Sequence, residues 1–372
     1  MAPKNKMLMV GQIPPPFLGQ AIMTKMLLDT LEGEKIPHKF INQTLSRETS
    51  SFHKVNGRKV IVVLQTIIKI YYYRIFAGYN ILYYNPSGHR KIAILRDIVI
   101  LTCTRWLFKK TVFHFHAYGL NIVRNKLNLI FKFLFRISFH KPDLMIKLTM
   151  DQNLDEVIIE PRRIEILPNA CFKPSIEMSH NKRIGKKVKM VYVGAIYEER
   201  GIDDIIDLVS YSKKQNSLEI EINFIGEFMN HEYQKSIMNS IINLGLKNNI
   251  HFSGTKIGKI KSELIEQSHF LIFPSRVPSE TFGLVLIEAM ALKTPPISTN
   301  LNGPKYVIKD GKNGIKYMPR EIKKLYDKIL WFSNNSEEYE NLRESCAESY
   351  ETNYTEEIYK KNVSRIFQNL VS

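Results

Sequence analysis

The sequence predicts an α/β protein built from two doubly wound domains in series, each a parallel sheet with helices on both faces. Three observations predict this fold class. The 372 residues suffice for two domains at about 100–200 residues each. Short apolar runs typical of buried strands alternate with longer runs typical of helices. The alternation stops once, after residue 169, and then starts again.

The first predicted domain covers residues 1–175. Its strands are short and almost wholly apolar, as buried parallel strands are. The predicted strands are Met7–Gly11, Tyr79–Tyr84, Thr111–Ala117 and Asp143–Leu148, and the predicted helices are Gln20–Leu31, Lys91–Leu107 and Ile122–His140. Residues 176–187 are polar and basic, and we expect them to be the linker.

The second predicted domain covers residues 188–353 and repeats the alternation. Its predicted strands are Met190–Val193, Leu218–Ile225, Ile250–Ser253, Phe270–Phe273 and Pro296–Thr299, and its predicted helices are Ile202–Ser212, Glu232–Leu244, Ile260–Gln267 and Phe282–Leu292. Residues 354–372 form an amphipathic helix that has no neighbour left in the local pattern. We expect it to pack back on the first domain.

The net charge of +17 is distributed unevenly along the chain. Residues 51–150 hold 17 Lys and Arg against 2 Asp, whereas residues 181–372 carry only +3. Such a surplus favours an anionic partner: a phospholipid surface, a nucleic acid or a phosphorylated substrate. Ordinary solubility charge explains it equally well. No motif for reading a nucleic-acid groove is present, so we expect no nucleic-acid partner.

Targeting signals are absent from the sequence pattern. No apolar run reaches the ~18 residues of a membrane-spanning helix, and Met7–Val10 is too short for a signal-peptide core. The three cysteines have no disulfide or metal spacing. We therefore expect a cytoplasmic protein, with the inner face of the membrane as a candidate peripheral location.

A basic helix is predicted within Asn121–Lys141. Lys132, Arg136 and His140 recur on one stripe, and apolar residues cover most of the rest. One interpretation is a core-packed helix with a solvated cationic stripe. The other is an interfacial helix on anionic lipid, to which the tyrosines of residues 71–73 would add aromatic contacts.

The densest signal is Pro274–Leu292, which combines a strand end, a polar loop and a buried helix. Eight of the nine residues in Leu284–Leu292 are apolar, so this helix is expected to be buried nearly all round, with Thr281 or Ser279 as its N-cap. Glu288 is the exception. A carboxylate there needs partners, and two remain open: a buried Lys or Arg, or the vicinal hydroxyls of a sugar.

Glu280 lies just before this helix. A carboxylate near a helix N-terminus is stabilised by the helix dipole by ~0.3–1 kcal/mol, which is a sufficient structural explanation. The same N-terminus is also an anion site, because its amides point outward and Gly283 lets the backbone approach a ligand. On that interpretation a diphosphate binds at the helix and Glu280 reaches a sugar hydroxyl.

The pattern Glu280-x7-Glu288, within Pro-Ser-x4-Glu-x-Phe-Gly-Leu-x3-Glu-Ala-Met-Ala, resembles the signature of retaining glycosyltransferases of family 4, which have the GT-B fold. Other stretches are similar to that family at its strand ends and turns: Pro168-Asn169, Tyr192-Val-Gly194, Arg200-Gly201, Phe224-Ile-Gly226, Phe252-Ser-Gly254 and Asp310-Gly311. The chain departs at Ala170, where the family usually has Gly, and at Ala195, where it often has a second Arg.

The resemblance implies two Rossmann-like domains facing a central cleft and a nucleotide-sugar donor. It implies that Glu288 holds the ribose, that Glu280 contacts the donor sugar, and that Arg200 neutralises the diphosphate. The catalytic residues so implied are His116 and Glu280, and the donor-binding residues are Gly19, Gly194, Arg200, Gly226, Phe282, Gly283, Leu284 and Glu288.

Two candidates lie in the first domain. Gly19 ends the loop Pro14–Gln20, which is similar to the family's loop after its first strand; a plain turn explains it equally well. His116 belongs to the run Thr111–Gly119, where strand alternation puts it on one face with His114. Ligands of open α/β sheets bind beyond the carboxyl ends of the strands, so His116, nearest that end, is the better candidate for a ligand contact. The resemblance implies that this contact is with the donor sugar and phosphate. A structural histidine is the alternative.

No cofactor or metal is expected. The sequence has no Asp-x-Asp after a strand and no His/Cys cluster with ligand spacing. The expected function is retaining transfer of a hexosyl group from a nucleoside-diphosphate sugar to a hydroxyl of a saccharide or lipid-linked saccharide, in cell-surface polysaccharide synthesis. The alternatives are a nucleotide-sugar epimerase or a phosphorylase of the same fold, and a basic nucleic-acid-binding protein.

Overall fold

The computed structural model describes residues 5–15, 18–43, 57–88, 90–151, 154–178 and 182–371. The chain divides into two compact units, one formed by Met1–Asn169 with Glu357–Ser372 and the other by Ala170–Glu356. The first division thus falls six residues before the expected boundary at residue 175. The expected linker, residues 176–187, runs into the first strand of the second unit, which begins at Lys187.

The first unit is one parallel sheet with helices around it. Its strands are β1 (Met7–Gly11), β2 (His38–Asn42), β3 (Ile81–Tyr84), β4 (Lys110–His114), β5 (Leu144–Lys147) and β6 (Ile164–Ile166). Its helices are α1 (Gly19–Gly33), α2 (Gly57–Phe76), α3 (Lys91–Thr104), α4 (Leu120–Asn125), α5 (Leu129–Phe139) and α6 (Leu154–Ile159). The strand order is β2-β1-β3-β4-β5-β6, and every pair is parallel.

The second unit has the same architecture. Its strands are β7 (Lys187–Val193), β8 (Glu219–Ile225), β9 (Ile250–Phe252), β10 (Phe270–Phe273), β11 (Pro296–Thr299) and β12 (Ile315–Tyr317). Its helices are α7 (Ile202–Gln215), α8 (His231–Asn243), α9 (Gly258–Glu266), α10 (Leu284–Ala291), α11 (Pro304–Val307), α12 (Ile322–Asn334) and α13 (Ser336–Asn353). The order is β12-β11-β10-β7-β8-β9, again wholly parallel.

The last helix, α14 (Glu356–Val371), packs against the first unit. The Lys110 ammonium donates to the Leu370 carbonyl at 3.2 Å. The Asn5 side-chain amide donates to the Val371 carbonyl at 3.2 Å. The rings of Phe367 and Tyr83 lie 6.0 Å apart. The first unit is therefore assembled from both ends of the chain.

One predicted helix of the first unit is wrong. The run Ile122–His140 forms two helices, α4 and α5, rather than one. The break has a local cause: Asn128 takes extended backbone and its side-chain oxygen accepts from the amide of Phe131 at 2.9 Å. An Asn at an N-cap satisfies one of the amides that a new helix leaves open, so the chain restarts at Leu129.

Both sheets carry the main hydrophobic core of their unit. Strand residues such as Leu82 and Phe113 in the first unit and Val188 and Phe224 in the second are fully buried in these cores. No helix in the described part of the chain is long and apolar enough to cross a membrane.

Candidate active site

The strand order marks one edge of the second sheet as the place for a ligand. β7 lies between β8 and β10: the chain adds β8 and β9 on one side of β7 and then crosses to add β10 on its other side. In open α/β sheets the crevice at such a switch point, beyond the carboxyl ends of the strands, is where ligands bind. The loop after β7 holds Gly194 and Arg200, and the loop after β10 holds Glu280 and leads to Gly283.

Arg200 and Glu280 meet at this edge. Arg200 Nη1 lies 2.5 Å from Glu280 Oε2 and 3.4 Å from Ser275 Oγ. The guanidinium also lies over the rings of Phe273 and Tyr197, 5.3 and 5.4 Å from their centroids. Both charged side chains are about one-fifth exposed. The pair of predicted site residues therefore forms one cluster that solvent, or a ligand, can reach.

The pair is electrostatically matched. Burial alone would lower the pKa of Arg200, but the charge of Glu280 and two neighbouring tyrosines raise it above its usual range. Arg200 Nε is buried and has no hydrogen-bond acceptor among the described residues. The guanidinium thus stays charged and keeps a donor that the protein does not satisfy.

A second ion pair anchors the loop that carries Glu280. Asp204, fully buried in the first turn of α7, pairs with the guanidinium of Arg276 and accepts from the Tyr317 hydroxyl at 3.0 Å. Asp204 thereby fixes Arg276, and with it the loop from residue 274 to residue 281, a role that the sequence pattern did not reveal.

Glu288 is held by Lys261 of α9. The ammonium lies 2.8 Å from each carboxylate oxygen, and the two side chains are 23% and 27% exposed. One of the two interpretations left open, an ion pair with a lysine, is therefore present in this structure. It does not exclude a sugar, because each carboxylate oxygen has a further lone pair and the carboxylate still reaches solvent.

Lys261 is a functional candidate that the sequence did not suggest. The residue lies two positions after Lys259, which is 73% exposed and pairs with Glu263 one turn later. Only tertiary packing of α9 against α10 brings Lys261 to Glu288. A sequence signal for it would have been a cation on the inward face of α9, where an apolar residue is the rule.

The helix that carries Glu288 begins later than expected. It starts at Leu284 rather than Phe282, and its N-cap is Gly283 instead of Thr281 or Ser279. Gly283 has a φ of 84°, which a residue with a side chain rarely adopts. Because Gly283 has no side chain, the amides of the first turn have no side-chain cap. Leu284 and Glu288 are the less buried positions of the helix. Phe282 is buried, and the centroid of its ring lies 5.8 Å from that of Tyr354.

The two remaining glycines of the second unit lie at neighbouring strand ends. A Cβ on Gly226 would lie 1.9 Å from the Gly194 carbonyl oxygen, so the loops after β7 and β8 approach as closely as they do only because Gly226 has no side chain. Packing alone thus explains Gly226. The prediction that it binds the donor directly is untested by this geometry.

In the first unit, His116 follows β4 instead of lying in it, because the strand ends at His114. The rings of His114 and His116 are tilted by 38° with centroids 4.2 Å apart, and His114 Nδ1 lies 2.7 Å from the Tyr83 hydroxyl. Burial lowers the pKa of His116 to about 3 and that of His114 well below its usual value. Both imidazoles are therefore neutral at pH 7, each with a donor and an acceptor nitrogen.

Gly19 opens α1 directly after the loop that follows β1. It is exposed, and Leu18 at the N-cap gives the helix no side-chain cap. The loop residues Pro16 and Phe17 lie outside the described residues. β1 is the switch-point strand of the first sheet, and Gly19 therefore lies at the edge where a ligand is expected.

Within the described ranges, no group of three or more His, Cys, Asp or Glu side chains is arranged to hold a metal ion. The described cations at the second unit's edge, Arg200 and Lys261, are the positive groups nearest to the two glutamates.

Known proteins share both the sequence pattern and the fold. Residues 175–348 match the family described as Glycosyl transferases group 1. An uncharacterised glycosyltransferase from Methanocaldococcus jannaschii is 31% identical over 160 residues, which are 42% of this chain and 42% of that protein. The chain spans less than half the length of the first curated relatives that it matches.

Two solved structures resemble the chain over nearly its whole length. HepE from Anabaena, solved in complex with UDP, has a TM-score of 0.68 at 14% identity and covers 98% of this chain and 100% of its own. The lipopolysaccharide outer core galactosyltransferase WaaB has a TM-score of 0.69 at 15% identity, covering 98% and 99%. At these identities the likeness shows the fold. The chain has the GT-B fold, and its residues 175–348 match the glycosyl transferases group 1 family.

Proposed function

We propose that the protein is a retaining glycosyltransferase of family 4. It moves a hexosyl group from a nucleoside-diphosphate sugar to a hydroxyl of a saccharide or lipid-linked saccharide, in cell-surface polysaccharide synthesis on the cytoplasmic side of the membrane. The observation that carries the proposal is the meeting of Arg200 with Glu280 at the switch point of the second sheet, with Glu288 eight residues further along.

A nucleoside-diphosphate sugar matches the chemistry of these groups. Its diphosphate needs charge-assisted donors, which the guanidinium of Arg200 and the uncapped N-terminus of α10 supply. Its ribose diol needs an acceptor pair, which the two oxygens of Glu288 supply. Glu280, beside Arg200, is in place for a hydroxyl of the sugar itself. UDP bound to the Anabaena relative of the same fold supports a nucleotide ligand.

The proposed chemistry is a front-face displacement. The bond between the anomeric carbon and the diphosphate breaks and its electron pair leaves with the phosphate oxygen. The acceptor hydroxyl bonds to the same face, and its proton passes to the departing phosphate. Arg200 stabilises the charge that develops on the diphosphate, and neutral His116 offers a hydrogen bond to donor sugar or phosphate. We propose that no metal ion is needed, so an excess of EDTA should leave turnover unchanged.

The first test is calorimetric titration of the full chain with UDP, GDP, ADP and CMP. We expect one nucleoside diphosphate to bind. Glu288→Ala should weaken that binding by about 1.5–3 kcal/mol, since hydrogen bonds to a charged group are lost. Glu344→Ala, which removes an exposed partner of Lys293 away from the site, is the matched control and should bind as the unaltered protein does. Unchanged binding by folded Glu288→Ala would refute the ribose assignment.

The second test separates the two glutamates. Glu280→Ala should lower kcat more than it weakens binding of free nucleoside diphosphate, because the sugar is absent from that ligand. An equal loss in both would contradict its placement on the sugar. Analysis of products formed without any acceptor separates a transferase from an epimerase, which would convert the donor alone.

A further inference from the structure

The first unit exposes an unusual apolar surface on three neighbouring helices. α3 lies between α2 and α5: the Tyr71 hydroxyl of α2 donates to the Cys103 carbonyl of α3 at 2.9 Å, and Thr102 Oγ1 lies 2.8 Å from Ser138 Oγ of α5. We give the name apolar outer face to ten exposed apolar side chains from α2, from α5 and from the turn that follows α3: Ile61, Leu64, Ile68, Tyr72, Ile75, Phe76, Trp106, Ile130, Phe133 and Ile137.

Helix α2 is apolar on both sides although only one side is packed. Ile70 is fully buried and Ile67 packs on the core of the first unit. On the opposite side Ile68 is 66% exposed and Phe76 is 78% exposed. The exposed residues 61, 64, 68, 72 and 75 recur every three or four positions, which is one face of a helix. A helix that is apolar all round normally has both sides covered.

Helix α5 repeats the pattern. Phe135 and Phe139 are buried, whereas Ile130 is 70% exposed and Phe133 is 65% exposed. The cationic stripe of this helix is only partly exposed to water: Arg136 is exposed, whereas Lys132 and His140 are half-buried. The exposed side of α5 is thus mixed apolar and cationic.

The charged residues of these helices distinguish the apolar outer face from a purely hydrophobic patch. The only acidic residue in helices α2, α3 and α5 is Asp97, which is fully buried and paired with Arg96. Lys69 of α2, Lys91 of α3 and Arg136 of α5 are exposed. The surface therefore combines apolar side chains, interfacial aromatic residues and cations without an exposed acid on these helices.

We propose that the apolar outer face docks on an anionic phospholipid bilayer, with the three helices lying in the plane of the interface. Amphipathic helices bind in this way when apolar residues enter the boundary of the acyl chains and Lys or Arg meet anionic headgroups. A second copy of the chain fits less well, because a symmetric contact would bring the cations of one face against those of the other. α2 extends for about 30 Å at 1.5 Å per residue, a length that suits a broad planar partner.

The apolar outer face belongs to the first unit alone, so docking on lipid does not depend on the proposed donor. If the transferase proposal also holds, it narrows the acceptor to one that is presented at a membrane surface. Failure of nucleotide binding would leave the lipid result unaffected, and the reverse is equally true.

Co-sedimentation tests the docking with the full chain and vesicles of phosphatidylcholine with 30% phosphatidylglycerol, against phosphatidylcholine alone. We expect binding to the anionic vesicles only. Ile68→Gln with Phe76→Gln should weaken it at least about tenfold. Lys69→Gln and Arg136→Gln should each weaken it about fivefold. The matched control is Ile242→Gln with Trp331→Gln, which alters two side chains of the second unit that are 49% and 48% exposed; it should bind fully.

A single-tryptophan variant gives a readout that leaves the face intact. The chain has two tryptophans, so Trp331→Phe leaves Trp106, which is 68% exposed, as the sole reporter. Its emission should shift to the blue on anionic vesicles and be quenched by brominated acyl chains. Vesicle binding without quenching, or no binding at all, would overturn the proposal. So would a blue shift without lipid accompanied by dimer formation in sedimentation equilibrium, since a second copy would then cover the face.

Discussion

The two sheets treat ionisable groups at their carboxyl edges in opposite ways. In the second unit, Glu280 and Glu288 are each held by a cation, with closest distances of 2.5 and 2.8 Å, and remain partly exposed. In the first unit, burial lowers the pKa of His114 and His116, so both rings are neutral at pH 7. The edge of the second sheet thus presents charged side chains to solvent, whereas the edge of the first sheet presents uncharged imidazoles.

The largest effect is expected when the cation beside Glu280 is removed. Arg200→Gln should lower kcat/KM about 100- to 1000-fold, since it deletes a preorganised donor aimed at developing negative charge. Arg163→Gln is the control, because Arg163 pairs with Glu165 on the first unit's surface. A fall of less than about threefold, measured with the donor that calorimetry identifies, would show that Arg200 serves only to hold Glu280.

A smaller effect is expected at the second pair. Lys261→Met should weaken nucleoside-diphosphate binding about fivefold, or about 1 kcal/mol, because both oxygens of Glu288 lose the ammonium that orients them. Lys259→Met, two residues earlier on α9 and 73% exposed, should leave the affinity unchanged. Tighter binding by Lys261→Met would instead mean that the ammonium competes with the ribose hydroxyls.

The smallest expected effect concerns the neutral edge and depends on pH. The unfolded chain takes up a proton at His116 near pH 6.5, whereas the folded protein does so only at about pH 3. The unfolded state therefore binds more protons between these values, and stability falls as pH falls below 6.5. From pH 7 to pH 5 this histidine should contribute about 1–2 kcal/mol of that loss.

His116→Gln should accordingly lose less stability on acidification than the unaltered protein. Urea unfolding at pH 7 and pH 5, followed by circular dichroism, measures both changes. Parallel losses in the two proteins would mean that His116 is protonated in the fold and that the first edge is not neutral.

Much of the architecture follows from the sequence because parallel strands are so apolar. Phe270–Phe273 and Pro296–Thr299 were bounded to the residue, since a buried run between polar turns has little freedom in its limits. β2, β6 and β12 were missed. β2, an edge strand, has the sequence His-Lys-Phe-Ile-Asn. Only two of its five residues are apolar, so it does not form the apolar run by which the other strands were predicted.

The site residues were predictable where a local motif carries them, and their partners were not. Glu288 stands out in the sequence as the one charged residue of an apolar helix, and in the structure Leu284 and Glu288 are the less buried positions of α10. Lys261 and Arg276 lie in other segments, and only tertiary packing brings them to Glu288 and Asp204. Pairing of this kind leaves no periodic trace in the sequence.

The return of α14 to the first unit has a consequence for how the chain matures. Tyr83 packs on Phe367, and Lys110 bonds to the carbonyl of Leu370, so part of the first core is supplied by residues synthesised after the entire second unit. During translation the Tyr83 side of the amino-terminal sheet therefore stays uncovered until the nearly two hundred residues of the second unit have been synthesised. A stop codon shortly before residue 356 would thus damage the part of the protein made first rather than the part made last.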